Sequence, residues 1–338
     1  MTKHRGRIIG LVLTAIFVVM ALQRVDLAAF ADALQHFSFI WIVPSTLCVL
    51  LGYGLRTVRW RFLLSGQAQA PIQTLFPILT MGFATNNLLP GRLGEFWRAH
   101  MLGKKRNVRK TFALASVFVE RVFDGLVLIG MMVLLSRIVP LPGWGQQIEL
   151  MAAAVFLVAT LVVALLVWQP VLAQRLLAVP LRFVPGRASG WIAGALAAFL
   201  EGLAVLKNPG VLVCAILLSI AIWTLEGASY LVLSHGVDLH LPPGTEVGAI
   251  GLALVTINFG IMVPSSPGYV GALEYFGTLA LGVFGASAGA ALALILVAHA
   301  IQYGLITGLG LIFFAREHIS PSEIGQSRAM TRGVPEPA

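Results

Sequence analysis

The sequence predicts an all-α polytopic membrane protein: six full spans plus two helical hairpins broken by Pro and Gly. Three observations carry that class. Only 11% of the 338 residues are charged and 58% are hydrophobic, whereas a soluble domain carries about 25% charged. Six segments are apolar for the length a membrane helix needs. The basic residues, finally, fall on alternate connections between those segments. The mean hydropathy of +0.89 agrees. So few charges cannot cover a water-soluble surface of this size.

A spanning helix needs about 20 mostly apolar residues to cross roughly 30 Å of hydrocarbon. Residues 8–25, 37–55, 111–135, 150–168, 210–233 and 288–314 meet this requirement. The first follows Lys3, Arg5 and Arg7 without a small-x-small cleavage site after it, so it reads as a signal anchor. Cys48 and Cys214 each lie in an apolar run, which excludes a disulfide scaffold and a cysteine metal site.

Two further apolar regions, 75–103 and 247–285, are interrupted near the middle. The first contains Asn86-Asn87-Leu88-Leu89-Pro90-Gly91-Arg92-Leu93-Gly94-Glu95, and the second runs from Asn258 through Pro264, Pro267-Gly268-Tyr269-Val270-Gly271 to Glu274. Both hold Pro-Gly-x-apolar-Gly, with Asn before and Glu after. Proline interrupts a helix that reaches it and starts a new one well. Each region therefore reads as a broken hairpin whose second arm starts at the Pro-Gly.

Cytoplasmic connections in membrane proteins collect Lys and Arg. With the N-terminus inside, the cytoplasmic segments hold Lys3, Arg5 and Arg7; Arg56, Arg59 and Arg61; Lys104, Lys105, Arg106, Arg109 and Lys110; Arg175, Arg182, Arg187 and Lys207; and Arg316, Arg328 and Arg332. Only Arg24 and Arg137 fall outside. The net charge of +9 and pI near 10.2 thus report orientation in a cell membrane with both termini cytoplasmic, and not a nucleic-acid partner. Three spans separate the hairpins, which then enter from opposite faces as an inverted repeat does. Residues 171–187 suit an interfacial helix. A membrane domain is expected over 1–315 and a disordered tail over 316–338.

No nucleotide, metal or catalytic-nucleophile motif is found, so neither cofactor nor metal is expected, and the protein is expected not to be an enzyme. Ionisable groups at membrane depth are then the candidates. Glu120, Arg121 and Asp124 share a span at helical spacing, as a salt bridge or as a cavity site gripping an anionic head group. Arg92, Glu95 and Arg98 follow a helix start, where free N–H groups suit phosphate. Glu226 sits deep in a span as a partner for Arg121 or a hairpin arginine, or as a protonatable group. Glu274 follows the second break. Asn86, Asn87 and Asn258 can satisfy backbone groups freed by the breaks. His299 and Gln302 share a face of the last span, which favours a packing hydrogen bond over a proton relay.

The elements Asn-x-x-x-Pro-Gly-Arg-x-Gly-Glu-x-x-Arg (Asn86 to Arg98), Glu-Arg-x-x-Asp (Glu120 to Asp124) and Pro-x-x-Pro-Gly-x-x-Gly-x-x-Glu (Pro264 to Glu274) occur in that order. This pattern resembles the flippase-like membrane domain of lysylphosphatidylglycerol synthases, over roughly 8–315. Arg56 and the Arg59-Trp60 pair also fit. Fused members carry a soluble aminoacyl-transferase domain that makes the lipid, which the membrane domain moves to the outer leaflet. No such domain is seen here, so synthase activity is not carried over.

The expectation is a lipid translocator with a polar cavity between the hairpins, acting on a lipid with a phosphate-bearing head group. Movement would be passive or driven by an ion or the membrane potential. Asn87, Arg92, Glu95, Arg98, Glu120, Arg121, Asp124, Glu226, Asn258 and Glu274 are its expected substrate-binding residues. The alternatives are a membrane-embedded transferase acting on a lipid carrier, with paired carboxylates as acid and base, and an assembly partner of lipid-synthesis enzymes that binds through the basic loops.

Overall fold

The computed structural model describes residues 27–66, 70–89, 92–138, 143–169, 186–261 and 267–317 in continuous stretches. The expected first span, Pro90-Gly91, residues 262–266, most of the 171–187 segment and the tail beyond 317 lie outside the described residues. All regular structure among the described residues is helical. The α-helices are α1 (Leu27–Gln35), α2 (Ile42–Leu64), α3 (Ile72–Leu88), α4 (Leu93–Arg106), α5 (Lys110–Ile138) and α6 (Gly143–Trp168). They continue as α7 (Gly186–Leu203), α8 (Pro209–Ser234), α9 (Glu246–Gly260), α10 (Ala272–Gly282) and α11 (Ala288–Arg316).

Among the described residues, three stretches are long and apolar enough to cross a membrane: Phe39–Leu64, which adds a 3-10 turn to α2, and helices α8 and α11. Their starts are locally encoded. Asn208 Oδ1 accepts from the Gly210 and Val211 N–H groups, and Pro209 sits in the first turn where no N–H is needed. The Ser287 side chain accepts from Ala290 N–H at α11. The expected spans at 111–135 and 150–168 lie within α5 and α6, of 29 and 26 residues. At about 1.5 Å per residue each exceeds 30 Å in length.

The outside of the molecule is apolar. Ile40 (74% exposed), Val43, Leu47 and Leu51 recur at helical spacing, as do Leu150 (74%), Leu157, Leu161 and Val213, Leu217, Ile220 on their helices. Such a surface suits hydrocarbon and not water. The polar side chains are turned inward instead: Arg56, Arg59, Arg98, Glu120, Asp124 and Glu274 are all buried.

Both expected breaks are present, but the second arms start later than the Pro-Gly. In the first hairpin α3 ends at Leu88 and α4 begins at Leu93. Arg92 has φ 52°, a left-handed backbone that no α-helix can continue through. In the second, Pro267–Tyr269 makes one 3-10 turn and α10 begins only at Ala272. Gly268, Tyr269 and Gly271 all have positive φ (71°, 60° and 86°), which delays the helix. Glu274 is consequently in the first turn of its helix, where its Oε2 accepts from Gly271 N–H at 2.6 Å.

The first hairpin closes backbone to backbone. A Cβ on Gly94 would lie 1.8 Å from the carbonyl oxygen of Gly82. The approach lets Asn86 Oδ1 accept from Gly94 N–H at 2.7 Å, so the first arm satisfies an amide freed by the break. The two hairpin tips meet near the centre, where Arg92 Nη2 reaches the Ile261 carbonyl at 3.4 Å. Each hairpin packs its first arm on a long helix of the opposite half: α3 on α11, and α9 on α5. Helices α2 and α8 pack along each other.

Because the clash at Gly94 is with backbone, neighbouring side chains cannot relieve it. Gly94→Ala should lower stability by at least about 2 kcal/mol, read as thermal unfolding in detergent. Gly54→Ala, with nothing within 4 Å of the added methyl, should leave it unchanged. Equal melting of the two variants would contradict this hairpin geometry.

Candidate functional site

The tips and the long helices enclose a cavity of about 230 Å³. At roughly 10–15 Å³ per water by this measure, it holds on the order of fifteen to twenty waters, enough for a polar head group. Its charged wall is formed by Arg56 (α2), Arg92 (first tip), Glu95 (α4), Arg121 and Asp124 (α5) and Glu226 (α8).

Asp124 organises this wall. Its Oδ1 accepts from Arg59 Nη1 at 2.7 Å and from Trp223 Nε1 at 3.1 Å. The same Arg59 nitrogen donates to Ser219 Oγ at 2.7 Å. Two more guanidinium groups flank Oδ2: Arg121 Nη2 at 3.4 Å and Arg56 Nη1 at 3.9 Å. Arg56 also bridges to Glu226 Oε2 at 3.2 Å, and Gln302 donates to the other Glu226 oxygen. Its guanidinium carbon lies 5.4 Å from the Trp223 ring centre and 5.7 Å from that of Tyr53, within cation–π range. One carboxylate thus gathers three arginines from two helices and an indole from a third.

Two cations of the wall are less engaged. Arg121 Nε lies 4.0 Å from Glu95 Oε1 and has no hydrogen-bond partner. Arg121 and Glu95 keep 33% and 27% of their side chains exposed, both into the cavity. Among the described residues, Arg92 donates only to the Ile261 carbonyl, a neutral acceptor at 3.4 Å. Three arginines and three carboxylates line this cavity among the described residues, with Arg59 behind Asp124.

Seven of the ten expected binding residues line the cavity: Asn87, Arg92, Glu95, Arg121, Asp124, Glu226 and Asn258. Asn87 Nδ2 donates to Thr307 Oγ1 at 3.0 Å, tying the first hairpin to α11. Asn258 donates to Leu254 O within its own helix. Three residues are not on the wall. Arg98 and Glu120 are bonded to each other at 2.8 Å, with Arg98 stacked 4.1 Å from the Trp60 ring centre. They are 2% and 1% exposed, a buried clasp between α4 and α5. Glu274 lies behind the wall, 2.7 Å from His299 Nδ1.

Two sequence-based expectations are corrected here, on Arg56 with Arg59 and on the partner of Glu226, while His299 and Gln302 each make the interhelical hydrogen bond expected of them. Arg56 and Arg59 are not loop charges: α2 runs to Leu64, and both side chains are buried because Asp124 and Glu226 neutralise them. Glu226 is paired with Arg56, and with neither Arg121 nor a hairpin arginine. Gln302 reaches Glu226, whereas His299, one turn earlier, reaches Glu274. The site residues missed were therefore Arg56, Arg59 and Trp223. Their signal was two arginines three apart inside a continuing apolar helix, which puts both on one face.

Removing Asp124 leaves the buried Arg59 without a carboxylate and takes one of two from Arg56 and from Arg121. Asp124→Ala should cost about 3–5 kcal/mol of stability, seen as a large fall in melting temperature in detergent. Asp124→Asn, which keeps an acceptor for Arg59, should cost less. The double change Arg59→Met with Asp124→Leu should recover part of the loss. A melting temperature indifferent to Asp124→Ala would contradict its central place.

The family model for the lysylphosphatidylglycerol synthase transmembrane region matches residues 7–310, so the chain belongs to that family. It is 27% identical to a UPF0104 membrane protein of Methanothermobacter thermautotrophicus, over 91% of this chain and 94% of that one. It is 25% identical to the glycosyltransferase AglD of Haloferax volcanii, over 91% of this chain and 54% of that protein. A shorter match, 25% identical over 34% of this chain, is to a UPF0104 membrane protein of Methanocaldococcus jannaschii. The relative named as a glycosyltransferase overturns the expectation that the protein is not an enzyme, since that expectation rested only on missing motifs.

Proposed function

Starting from its place in the lysylphosphatidylglycerol synthase transmembrane family, we propose that the protein moves a polar, phosphate-bearing lipid between membrane leaflets through the central cavity. The observation that carries this reading is the weak engagement of Arg92 and Arg121. Arg92 sits on the first hairpin tip with only a backbone carbonyl for a partner, and Arg121 faces it with an unsatisfied Nε. A phosphodiester supplies charged acceptor oxygens for both. Glu95, Asp124 and Glu226 hold the arginines in place and repel a second anion. Asn87 and Asn258 frame the site.

We read the chain as six full spans and two broken hairpins forming an inverted repeat. Its support is the backbone of the tips: Arg92 and Tyr269 occupy the same place in Pro-Gly-x-apolar-Gly, and both are left-handed, with φ of 52° and 60°. The crosswise packing of each hairpin on the opposite half is what a two-fold relation produces. Such a repeat lets one half rock against the other around a fixed central site. Both termini are placed on the cytoplasmic side of the cell membrane. Lys105 bonded to Glu317, Arg106 to Thr74 (2.8 Å) and Arg109 to Glu201 gather a basic cluster at one end of the molecule, which supports this orientation. That cluster is also where a lipid-synthesis partner would dock.

A second reading is favoured by the relative named as a glycosyltransferase: a membrane-embedded transferase acting on a lipid carrier, with Glu95 and Glu226 available as acid and base beside the bound phosphate. Product formation by purified protein, lost in Glu95→Gln, would select it.

Translocation is tested in liposomes holding fluorescent phosphatidylglycerol, with outer-leaflet label destroyed by a membrane-impermeant reductant. Wild type should expose inner-leaflet label far faster than empty vesicles do. Arg92→Ala and Arg121→Ala should each slow it about tenfold to a hundredfold, the worth of a charge-assisted hydrogen bond of about 1.5–3 kcal/mol. Wild-type vesicles no faster than empty ones would refute the proposal.

A further inference from the structure

Glu274 and His299 form a second polar centre, behind the wall and chemically unlike it. His299 Nε2 lies 2.8 Å from the Gly268 carbonyl oxygen. A carbonyl has no proton to give, so Nε2 must carry one. His299 Nδ1 lies 2.7 Å from Glu274 Oε1, a distance that requires a proton between them. Glu274 Oε2 is already occupied by Gly271 N–H. Whether the proton between Nδ1 and Oε1 belongs to the ring or to the carboxyl, their sum is one titratable proton. Among the described residues no Lys or Arg lies within ion-pair distance of Glu274. The proton takes the place of the metal ion or arginine that neutralises a buried carboxylate elsewhere.

We infer that Glu274 and His299 are a one-proton site that couples proton binding to movement of the second hairpin. The inference rests on the translocation reading and supplies its energy source. With the proton bound, the pair fastens the start of α10 to α11. When it leaves to cavity water, the Nδ1 lone pair faces an ionised carboxylate at 2.7 Å, and the two must separate. His299 and Gly268 both line the cavity, so water reaches the pair from the substrate side and the separation moves the wall. Little else can take up the displacement: a Cβ on Gly268 would meet the Tyr303 ring at 2.6 Å.

The titratable groups facing the pair do not replace its proton. Tyr303 follows on α11 with its ring edge-on, 6.0 Å from His299, and Tyr269 belongs to the same tip. From α8 come the buried Tyr230 and Glu226, already engaged by Arg56 and Gln302. From α5, across the cavity, Arg121 and Asp124 face each other. The first hairpin presents Arg92 and Glu95 across the cavity with the uncharged Asn87, and α9 presents the uncharged Asn258.

Two measurements test this, one of them independent of transport. In nanodiscs at neutral pH, ¹⁵N spectra of histidine-labelled protein, assigned with His299→Gln, should show His299 protonated at Nε2 with Nδ1 either protonated or facing a protonated Glu274. A neutral ring beside an ionised Glu274 would overturn the one-proton site. In vesicles with the membrane potential clamped, one unit of pH difference should drive fluorescent phosphatidylglycerol toward one leaflet, by up to about tenfold for one proton per lipid. Glu274→Gln, whose amide can donate to Nδ1 without a titratable proton, should abolish the asymmetry. Wild-type movement with no asymmetry would overturn the coupling and leave translocation standing. No movement at all would overturn translocation and the coupling together, and the spectra would still decide the proton site.

Discussion

The buried contact between Asp124 and Arg59 is the constraint on which the rest of the interior depends. A guanidinium that is 1% exposed inside an apolar helix would be strongly unfavourable alone. Asp124 makes it tolerable, Ser219 takes another of its hydrogens, and the Trp223 indole shares the carboxylate. These contacts fix α2, α5 and α8 against one another at one depth. With that frame set, Arg56 lies between Asp124 and Glu226, and Arg121 is aimed into the space the hairpin tips leave. Replacing such a network by apolar side chains can be neutral or favourable for stability. Its retention therefore points to the cavity it shapes and not to the strength of the fold.

The hairpins supply what the long helices cannot. A continuous helix presents no free backbone groups at membrane depth, so irregular backbone there is tolerated only where protein or a cavity satisfies it. Here Asn86 caps the first break, Glu274 the second, and Arg92 spans from one tip to the backbone of the other. The wall they complete holds three arginines and three carboxylates, whereas Glu274 behind it is held by a histidine. In the proposed function an anionic head group binds at the wall and a proton at Glu274 and His299, and Gly268, which lines the cavity and accepts from His299, would let one bias the other.

Much of this was legible in the sequence, for identifiable reasons. Apolar length located α2, α8 and α11, and Pro-Gly located both breaks, since these signals are local. The i, i+3 relation of Arg121 and Asp124 likewise gave a contact that the structure holds at 3.4 Å. What failed was long-range pairing. Arg56 and Arg59 follow an apolar run and look like loop charges until their partners, 65 to 170 residues away, are known. Arg98 and Glu120, both expected to bind substrate, instead neutralise each other off the cavity. The late start of α10 was hidden as well, because a left-handed Tyr269 has no compositional signature.

The central claim is that the cavity recognises a phosphate through the under-neutralised Arg92 and Arg121. Native mass spectrometry of the detergent-solubilised protein tests it most directly, with phosphatidylglycerol offered in competition against an uncharged diacylglycerol. One phosphatidylglycerol per chain should be retained, and lost in Arg92→Gln with Arg121→Gln while the folded protein persists. Equal retention of both lipids, or retention unchanged in the double variant, would contradict it.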